Sequence, residues 1–117
     1  MKRGYVYLAR MVGTKLVKIG FSQKPSRRID ALQCQTGINL ELISLIPKSN
    51  FNHERILHRM HSDLCVHGEW FRDSDREIEE SFTATAVELI ARRRKLAKRV
   101  ATWINRGSRI ENLVKGL

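Results

Sequence analysis

The 117 residues suffice for one domain with a modest core, and a hydrophobic content of 42% argues against wholesale disorder. Lysine and arginine number 22 against 12 acidic residues, which gives a net charge of +10 and a pI near 10.3. This charge favours a polyanionic partner such as nucleic acid over an anionic membrane or a merely soluble basic surface, and no run approaches the ~20 apolar residues of a membrane span.

The N-terminus and the cysteines predict a cytoplasmic protein. Met1-Lys2-Arg3 is not followed by the apolar segment of a signal peptide. Cys34 and Cys65 do not form a closely spaced pair, and they fit a reducing compartment as buried small hydrophobes. The sequence does not decide whether these two cysteines form a disulfide.

Residues 5–20, YVYLARMVGTKLVKIG, predict a β-hairpin. Two short runs rich in β-branched and aromatic residues flank a flexible Gly-Thr turn. By strand alternation Tyr5 and Tyr7 share one face, and so do Lys18 and Gly20 on the partner strand. We therefore expect a tyrosine and a lysine to meet across the pair, with Gly20 allowing close approach of a backbone or a phosphate.

The following segment predicts a helix and a third strand. Pro25 suits the first turn of a helix over about residues 25–35, which stops near Gly37. Residues 40–46, LELISLI, alternate as a strand does and end at Pro47.

A second helix, over about residues 51–64, is predicted to have a core face and a reactive face. The core face holds Leu57, Met60 and Leu64. The reactive face holds Glu54, His58, His61 and Cys65. Residues 69–71 are predicted to return as a short extended segment that covers the core.

A long helix is predicted from a capping box at residues 74–77 to a stop at residues 105–107. Acidic residues cluster near its start and basic residues toward its end, which complements the helix dipole. Its apolar stripe either packs on the preceding domain, the favoured interpretation, or forms the seam of a homodimer. A last segment, residues 109–113, is a final helical turn or a loose tail. The stripe consists of Phe82, Ala86, Leu89, Leu96, Val100 and Trp103.

Short motifs occur in the order typical of one nuclease superfamily. Tyr5-Val6-Tyr7 and Lys18-Ile19-Gly20 resemble the GIY and YIG motifs of the GIY-YIG nucleases, and Arg28, Glu54 and the Gly-Glu-Trp-Phe run at 68–71 follow. The chain thus resembles the phage-associated T5orf172 or MUG113 branch over roughly residues 5–72. The main departure is Lys18, where the wider family has tyrosine, and the late asparagine of many members has no clear counterpart.

The resemblance implies a metal-dependent endonuclease that hydrolyses DNA phosphodiesters with Mg²⁺ or Mn²⁺. It implies Glu54 as the metal-holding carboxylate, Arg28 as the phosphate clamp, and Tyr7 and Lys18 near the attacking water. Whether Lys18 acts as a base or only stabilises charge stays open. Tyr5, Gly20, His58 and Glu69 are secondary active-site candidates, with His58 orienting Glu54 or the phosphate and Glu69 contributing in place of the asparagine.

Two further groups of residues suggest ligand binding. The stripe of Glu54, His58, His61 and Cys65 also permits a structural zinc site, although its spacing is not a strong zinc pattern. A set of basic residues favours contact with the DNA backbone, which positions the protein without reading sequence; a solvated helix face is the alternative. The set comprises Arg27, Arg92, Arg93, Arg94, Lys95, Lys98 and Arg99.

We therefore expect an α+β fold with a small three-stranded antiparallel sheet flanked by helices and a long basic C-terminal helix. Residues 1–72 would form the GIY-YIG-like domain, and residues 73–117 a helical extension that packs on the core and contacts nucleic acid. The leading hypothesis is a single-site endonuclease on double-stranded DNA, acting as a nicking monomer or as a homodimer that cuts both strands. The alternatives are a DNA-binding module of the same fold with lost or weak cleavage, and a phage-type protein-binding or inhibitor protein.

Overall fold

A computed structural model describes the backbone of residues 3–105 and the side chains of residues 3–102. The chain divides into two compact units, residues 1–86 and residues 87–117. The segment predicted at residues 109–113 lies outside the described residues. The predicted domain boundary after residue 72, and the packing of the extension on the core, stay predictions.

The first unit contains a five-stranded antiparallel sheet. Its strands are β1 (Gly4–Met11), β2 (Leu16–Ser22), β3 (Leu40–Ser49), β4 (Cys65–His67) and β5 (Trp70–Arg72), in the spatial order β3-β1-β2-β5-β4. The predicted α+β class is confirmed, and the hairpin and the third strand form as expected. The predicted strand number of three is wrong, because residues 70–72 pair with residues 16–18 of β2 and so extend the sheet by two short strands. Strands of three residues are too short to show an alternation pattern in the sequence.

Strand β3 continues beyond its predicted end at Pro47. It lies at one edge of the sheet, where a residue without an N–H group costs no ladder hydrogen bond on the open side. The pairing with β1 is irregular between Gly4 and Val6, and Lys48 adopts a positive φ of 53°. The edge position therefore accommodates the proline within the strand.

Helix α1 (Pro25–Thr36) forms close to its predicted limits, and helix α2 (Phe51–Met60) begins where predicted but ends about one turn early. Gly37 ends α1 with a φ of 72°, a left-handed conformation that glycine adopts without steric cost. Asn50 caps α2 by accepting hydrogen bonds from the backbone N–H groups of Asn52 and His53. A single 3₁₀ turn, Ser62–Leu64, replaces the last predicted turn of α2, and Met60 is 54% exposed, so its assignment to the core face is wrong.

Helix α3 (Glu77–Asn105) begins later than the predicted capping box. Asp73, rather than the serine at position 74, satisfies the free N–H groups of its first turn. The Asp73 carboxylate accepts hydrogen bonds from the backbone N–H groups of Ile78 at 2.8 Å and Glu79 at 3.1 Å. Asp73 can do this because it is 1% exposed and fixed by its own N–H bond to the Lys15 carbonyl at 2.7 Å.

The core of the first unit covers both faces of the sheet. Tyr7 and Ala9 cluster with Ile29 of α1 and Leu40 on one face. Val6 and Leu8 point to the other face by strand alternation and are fully buried. Further buried apolar side chains come from α2, β5 and the first turns of α3, namely Leu57, Phe71, Ile78, Phe82 and Ala86.

The second unit is described up to residue 105 and contains the remainder of α3. Of its apolar side chains, Val87 and Leu96 are each 63% exposed and Val100 is 37% exposed. Among residues 3–105, no helix combines the length and the apolar character that crossing a membrane requires. In the first unit, Cys34 and Cys65 are exposed free thiols, so the prediction that they are buried is wrong.

Candidate active site

The register of the hairpin brings Tyr7, Lys18 and Gly20 onto one face. Tyr7 pairs with Gly20, and Ala9 pairs with Lys18, so Tyr7 and Lys18 are diagonal neighbours, as the alternation predicted. The Tyr7 ring lies directly over Gly20, where any Cβ atom would overlap Cζ and the hydroxyl of the tyrosine. Gly20 thus gives close approach to the Tyr7 ring, not to a backbone or a phosphate.

Tyr7 is buried beneath the site, at 1% exposure, with its hydroxyl held by Arg28. Arg28 projects from the exposed side of α1 and donates a hydrogen bond to that hydroxyl. Burial raises the pKa of Tyr7, as does the carboxylate of Glu69, while Arg28 acts in the opposite direction. The phenol therefore keeps its proton at neutral pH and serves as a fixed hydrogen-bonding group.

Glu54 and Glu69 form a hydrogen-bonded carboxyl pair. Glu54, on α2, is 3% exposed, and burial together with the neighbouring Glu69 raises its pKa to about 8. Burial also opposes ionisation of Glu69, but its hydrogen bonds with Glu54 and Lys18 lower its pKa overall. Near neutral pH the pair therefore binds one proton.

Lys18 is held between a carboxylate and an aromatic ring. Its Nζ atom lies 3.1 Å from Oε2 of Glu69 and 5.8 Å from the centre of the Trp70 ring. The residue is 8% exposed, so this ion pair is shielded from solvent more than a surface pair is. The amine is thus a positioned positive charge in the same cluster as Arg28.

His58 links Glu54 to strand β2. Its Nε2 atom lies 2.8 Å from the carbonyl oxygen of Ile19 and 3.5 Å from Oε1 of Glu54. Because a carbonyl oxygen only accepts hydrogen bonds, Nε2 carries a hydrogen. The ring also packs edge-on against Phe71, with centroids 5.3 Å apart. These contacts place His58 beside Glu54, and its role in orienting Glu54 or the phosphate stays a prediction.

The other predicted residues lie elsewhere. Tyr5 and Arg27 line a groove of about 420 Å³ beside the start of α1. Arg92, in the second unit, pairs with Glu88 at 2.6 Å and is 72% exposed. Arg93 is half-buried, whereas Arg94, Lys95, Lys98 and Arg99 are exposed. These basic side chains are accessible to a polyanion, and their contact with nucleic acid stays a prediction.

The zinc alternative is wrong. Among the described residues, no three histidine, cysteine, aspartate or glutamate side chains are grouped so as to hold a metal ion. His61 is buried, whereas Cys65 is exposed and its thiol donates to the Gly68 carbonyl at 3.5 Å. The stripe therefore splits, and only Glu54 and His58 reach the cluster.

The carboxyl pair suits a hard divalent cation better than zinc. Mg²⁺ commonly binds one or two carboxylates and takes its other ligands from water and substrate phosphates. Glu54 and Glu69 provide two neighbouring carboxyl groups, and the charge of Glu69 contributes to the raised pKa of Glu54, a repulsion that a bound cation would relieve. The donors present therefore fit Mg²⁺ or Mn²⁺, provided that Glu54 gives up its proton.

Three parts of the site were not predicted as functional. Trp70 lies against Lys18, the Ile19 carbonyl accepts from His58, and Phe71 supports the His58 ring. The sequence signal for the two aromatic residues is their position directly after Glu69. A backbone carbonyl leaves no sequence signal, because every residue has one.

The fold and this cluster define a small α+β domain in which two cations, a tyrosine and a carboxyl pair lie together. The family model of the T5orf172 domain matches residues 4–90, and the chain belongs to this family. The match extends into α3, beyond the resemblance noted at residues 5–72. Membership indicates a nuclease-like or DNA-binding domain. No curated protein and no solved structure matches the chain.

Proposed function

We propose that the protein is a metal-dependent endonuclease that hydrolyses DNA phosphodiester bonds. The observation that carries the proposal is the convergence of five side chains from five different parts of the first unit. Tyr7 comes from β1, Lys18 from β2, Arg28 from α1, Glu54 from α2, and Glu69 from the residue before β5. Two carboxyl groups beside two cations are not needed for stability, since a buried ionic cluster is often no better than apolar packing.

In this proposal the cations bind and orient the phosphate. Arg28 and Lys18 each present N–H donors, and their positive charge opposes the negative charge that grows on the phosphoryl oxygens. In the free protein, Oε2 of Glu69 lies 3.1 Å from the Lys18 Nζ atom and forms an ion pair with it. Binding of a phosphate therefore requires Lys18 to exchange that carboxylate for the substrate, or to interact with both.

Tyr7 orients the attacking water. Because burial raises its pKa, the hydroxyl stays protonated and accepts a hydrogen bond from water instead of removing its proton. The water oxygen forms a bond to phosphorus, the bond from phosphorus to the 3′ oxygen breaks, the water proton passes to solvent, and the 3′ oxygen takes up a proton from solvent. A divalent ion, when bound, supplies positive charge to the phosphoryl group and the leaving oxygen.

Glu54 and Glu69 hold that ion in this proposal, and His58 keeps Glu54 in place. Carboxylates bind metal ions in their deprotonated form, whereas Glu54 has a pKa of about 8 in the free protein. We therefore expect cleavage at limiting metal concentration to increase as the pH rises from 6 to 8.5. A higher metal concentration shifts this increase to lower pH, because the ion competes with the proton.

The test is incubation of supercoiled plasmid with the purified protein in Mg²⁺, Mn²⁺ or EDTA. We expect nicked circles to precede linear DNA, because a monomer with a single site cuts one strand at a time. The variant Glu54→Gln keeps the shape and the hydrogen bond to Glu69 but cannot hold a metal ion, and it should not cleave. The matched control is Glu80→Gln, an exposed glutamate on α3, which should cleave as the wild type does.

A second candidate function is a DNA-binding module without cleavage. It is favoured by the state of the two groups that would do chemistry, since Lys18 is engaged by Glu69 and the pKa of Glu54 is raised to about 8, which disfavours the carboxylate form that binds metal ions. Salt-sensitive DNA binding without metal-dependent cleavage between pH 6 and 9 would establish this second function and reject the first. Cleavage that persists in EDTA, or in Glu54→Gln, would also reject the first.

A further inference from the structure

An apolar pocket lies beside the polar cluster on the same face of the sheet. Its volume is about 280 Å³, slightly below the range of about 300–1,000 Å³ typical of small-molecule sites. Its walls come from α1, from the loop that follows α1, and from all five strands of the sheet. They are formed mainly by Met11, Leu16, Leu32, Ile38, Leu40 and Trp70.

Lys18 belongs both to this pocket and to the polar cluster. Its side chain lines the pocket, while its Nζ atom contacts Glu69 at 3.1 Å. A phosphate that binds the Lys18 amine therefore lies next to the opening of an apolar space with an aromatic wall. A nucleotide has the same two parts side by side, since its phosphate is joined through the sugar to a planar base whose faces can stack on an aromatic ring.

We propose that this pocket, here called the Trp70 pocket, binds one unstacked nucleobase of the strand whose phosphate lies at Lys18. The proposal rests on the proposed function, because it takes the polar cluster to be a phosphate site. Trp70 offers a stacking surface, and stacking of a base on an aromatic side chain is a common source of affinity in single-strand binding. The pocket is too small for a base pair, so the base must first leave the helix.

The polar groups of the pocket predict little preference among bases. The Thr36 hydroxyl already donates to the Leu32 carbonyl at 2.6 Å and accepts from the Ile38 N–H at 3.2 Å. The other polar side chains that line the pocket are Lys18, which is paired with Glu69, and His67, which is exposed to solvent. The pocket therefore accepts a base through its flat face, and it favours single-stranded or locally unpaired DNA over an intact duplex.

The test compares two labelled 15-nucleotide oligomers by fluorescence anisotropy, in EDTA so that no cleavage occurs. One is oligo-dT, and the other has a tetrahydrofuran abasic residue at every position. Both carry the same number of phosphates, so counterion release contributes equally at a given salt concentration. We expect oligo-dT to bind the wild type about tenfold more tightly, in line with the typical contribution of one stacked base.

The variant Trp70→Leu removes the stacking surface and keeps an apolar side chain. It should bind both oligomers with the affinity that the wild type shows for the abasic one, and Trp70→Phe should retain part of the preference. The matched control is Phe51→Leu, an aromatic residue that is 49% exposed and lies outside the pocket, which should keep the tenfold ratio. Thermal melting shows whether each variant is folded.

A second measurement leaves Trp70 in place. The chain has two tryptophans, so in Trp103→Phe the fluorescence reports on Trp70 alone. Oligo-dT should quench this fluorescence, and the abasic oligomer at equal saturation should not. Equal quenching by both oligomers, or equal affinity of the wild type for both, would overturn the proposal and leave the pocket to another occupant, such as an apolar side chain of a protein.

The two proposals fail in different ways. A protein that prefers oligo-dT through Trp70 but never cuts plasmid would refute the nuclease function and support the Trp70 pocket. A protein that cuts plasmid with metal but binds both oligomers equally would refute the Trp70 pocket and support the nuclease function.

Discussion

The wild-type protein should lose stability as the pH rises from 5 to 8, and the variant Glu54→Gln should not. The pKa of Glu54 rises from 4.5 to about 8 on folding, so between these values the folded state binds more protons than the unfolded state. The free energy of unfolding therefore falls as the pH rises through this window. Lowering of the Glu69 pKa acts below pH 4.5 and gives stability that is lost on acidification, so it does not mask the effect.

The magnitude follows from the size of the shift. If Glu54 carried the whole shift, the loss would approach 5 kcal/mol at about 1.4 kcal/mol per pKa unit. Because Glu54 and Glu69 titrate as a coupled pair, we expect about 2 kcal/mol between pH 5 and pH 8. For a domain of this size, that corresponds to a decrease in Tm of roughly 10 °C.

Thermal unfolding followed by circular dichroism at pH 5, 6, 7 and 8 in EDTA measures this decrease. Glutamine keeps a donor toward Glu69 and carries no titrating proton, so the Tm of Glu54→Gln should be nearly independent of pH, whereas the control Glu80→Gln, which retains Glu54, should keep the wild-type slope. Addition of Mg²⁺ at pH 8 should restore part of the wild-type Tm and should not change that of Glu54→Gln. If the wild type and Glu54→Gln show the same slope, the carboxyl pair does not carry the proton that we assign to it.

Three further predictions concern the support of the site and the approach of DNA. Gly20→Ala should destabilise the protein by about 1–3 kcal/mol, because its Cβ overlaps the Tyr7 ring; denaturant unfolding measures this, and an unchanged midpoint would contradict it. Asp73→Ala should cost about 2 kcal/mol through loss of the bonds to the first turn of α3, whereas Asp75→Ala, at an exposed position, should be nearly neutral. Replacing Arg94 and Lys98 with alanine should weaken duplex binding and reduce the salt slope by about 1 per lost phosphate contact; an unchanged slope would remove these residues from the interface.

Local patterns in the sequence predicted most of the first unit correctly. The hairpin, α1 and β3 form where alternation, Pro25 and Gly37 place them, because these signals act within a few residues. The capping of α3 was predicted wrongly because it depends on residues that are distant in the chain. Asp73 reaches past its own neighbours to Ile78 and Glu79, and it is held there by Arg10 of β1 and by Lys15 in the turn of the hairpin.

For the candidate site, too, the sequence predicted only what depends on local patterns and motifs. Strand alternation alone put Tyr7 and Lys18 on one face, and the family motifs pointed to Arg28 and Glu54. Neither indicated that Glu54 and Glu69 share a proton, since this depends on a side chain of α2 meeting the residue before β5. The Trp70 pocket was not predicted either, since its lining residues lie between residue 11 and residue 70 and come together only when the sheet and α1 are assembled.

The sequence by itself determined the charge that favours a polyanionic partner, the α+β class, and the side chains that one hairpin can present together. These properties depend on composition and on short-range periodicity, which chain order contains directly. Only the tertiary structure decided the protonation of the carboxyl pair, the ion pair of Lys18 and the apolar space beside it. Those depend on which distant residues exclude water from one another, because burial and close approach set the electrostatic energies of a site.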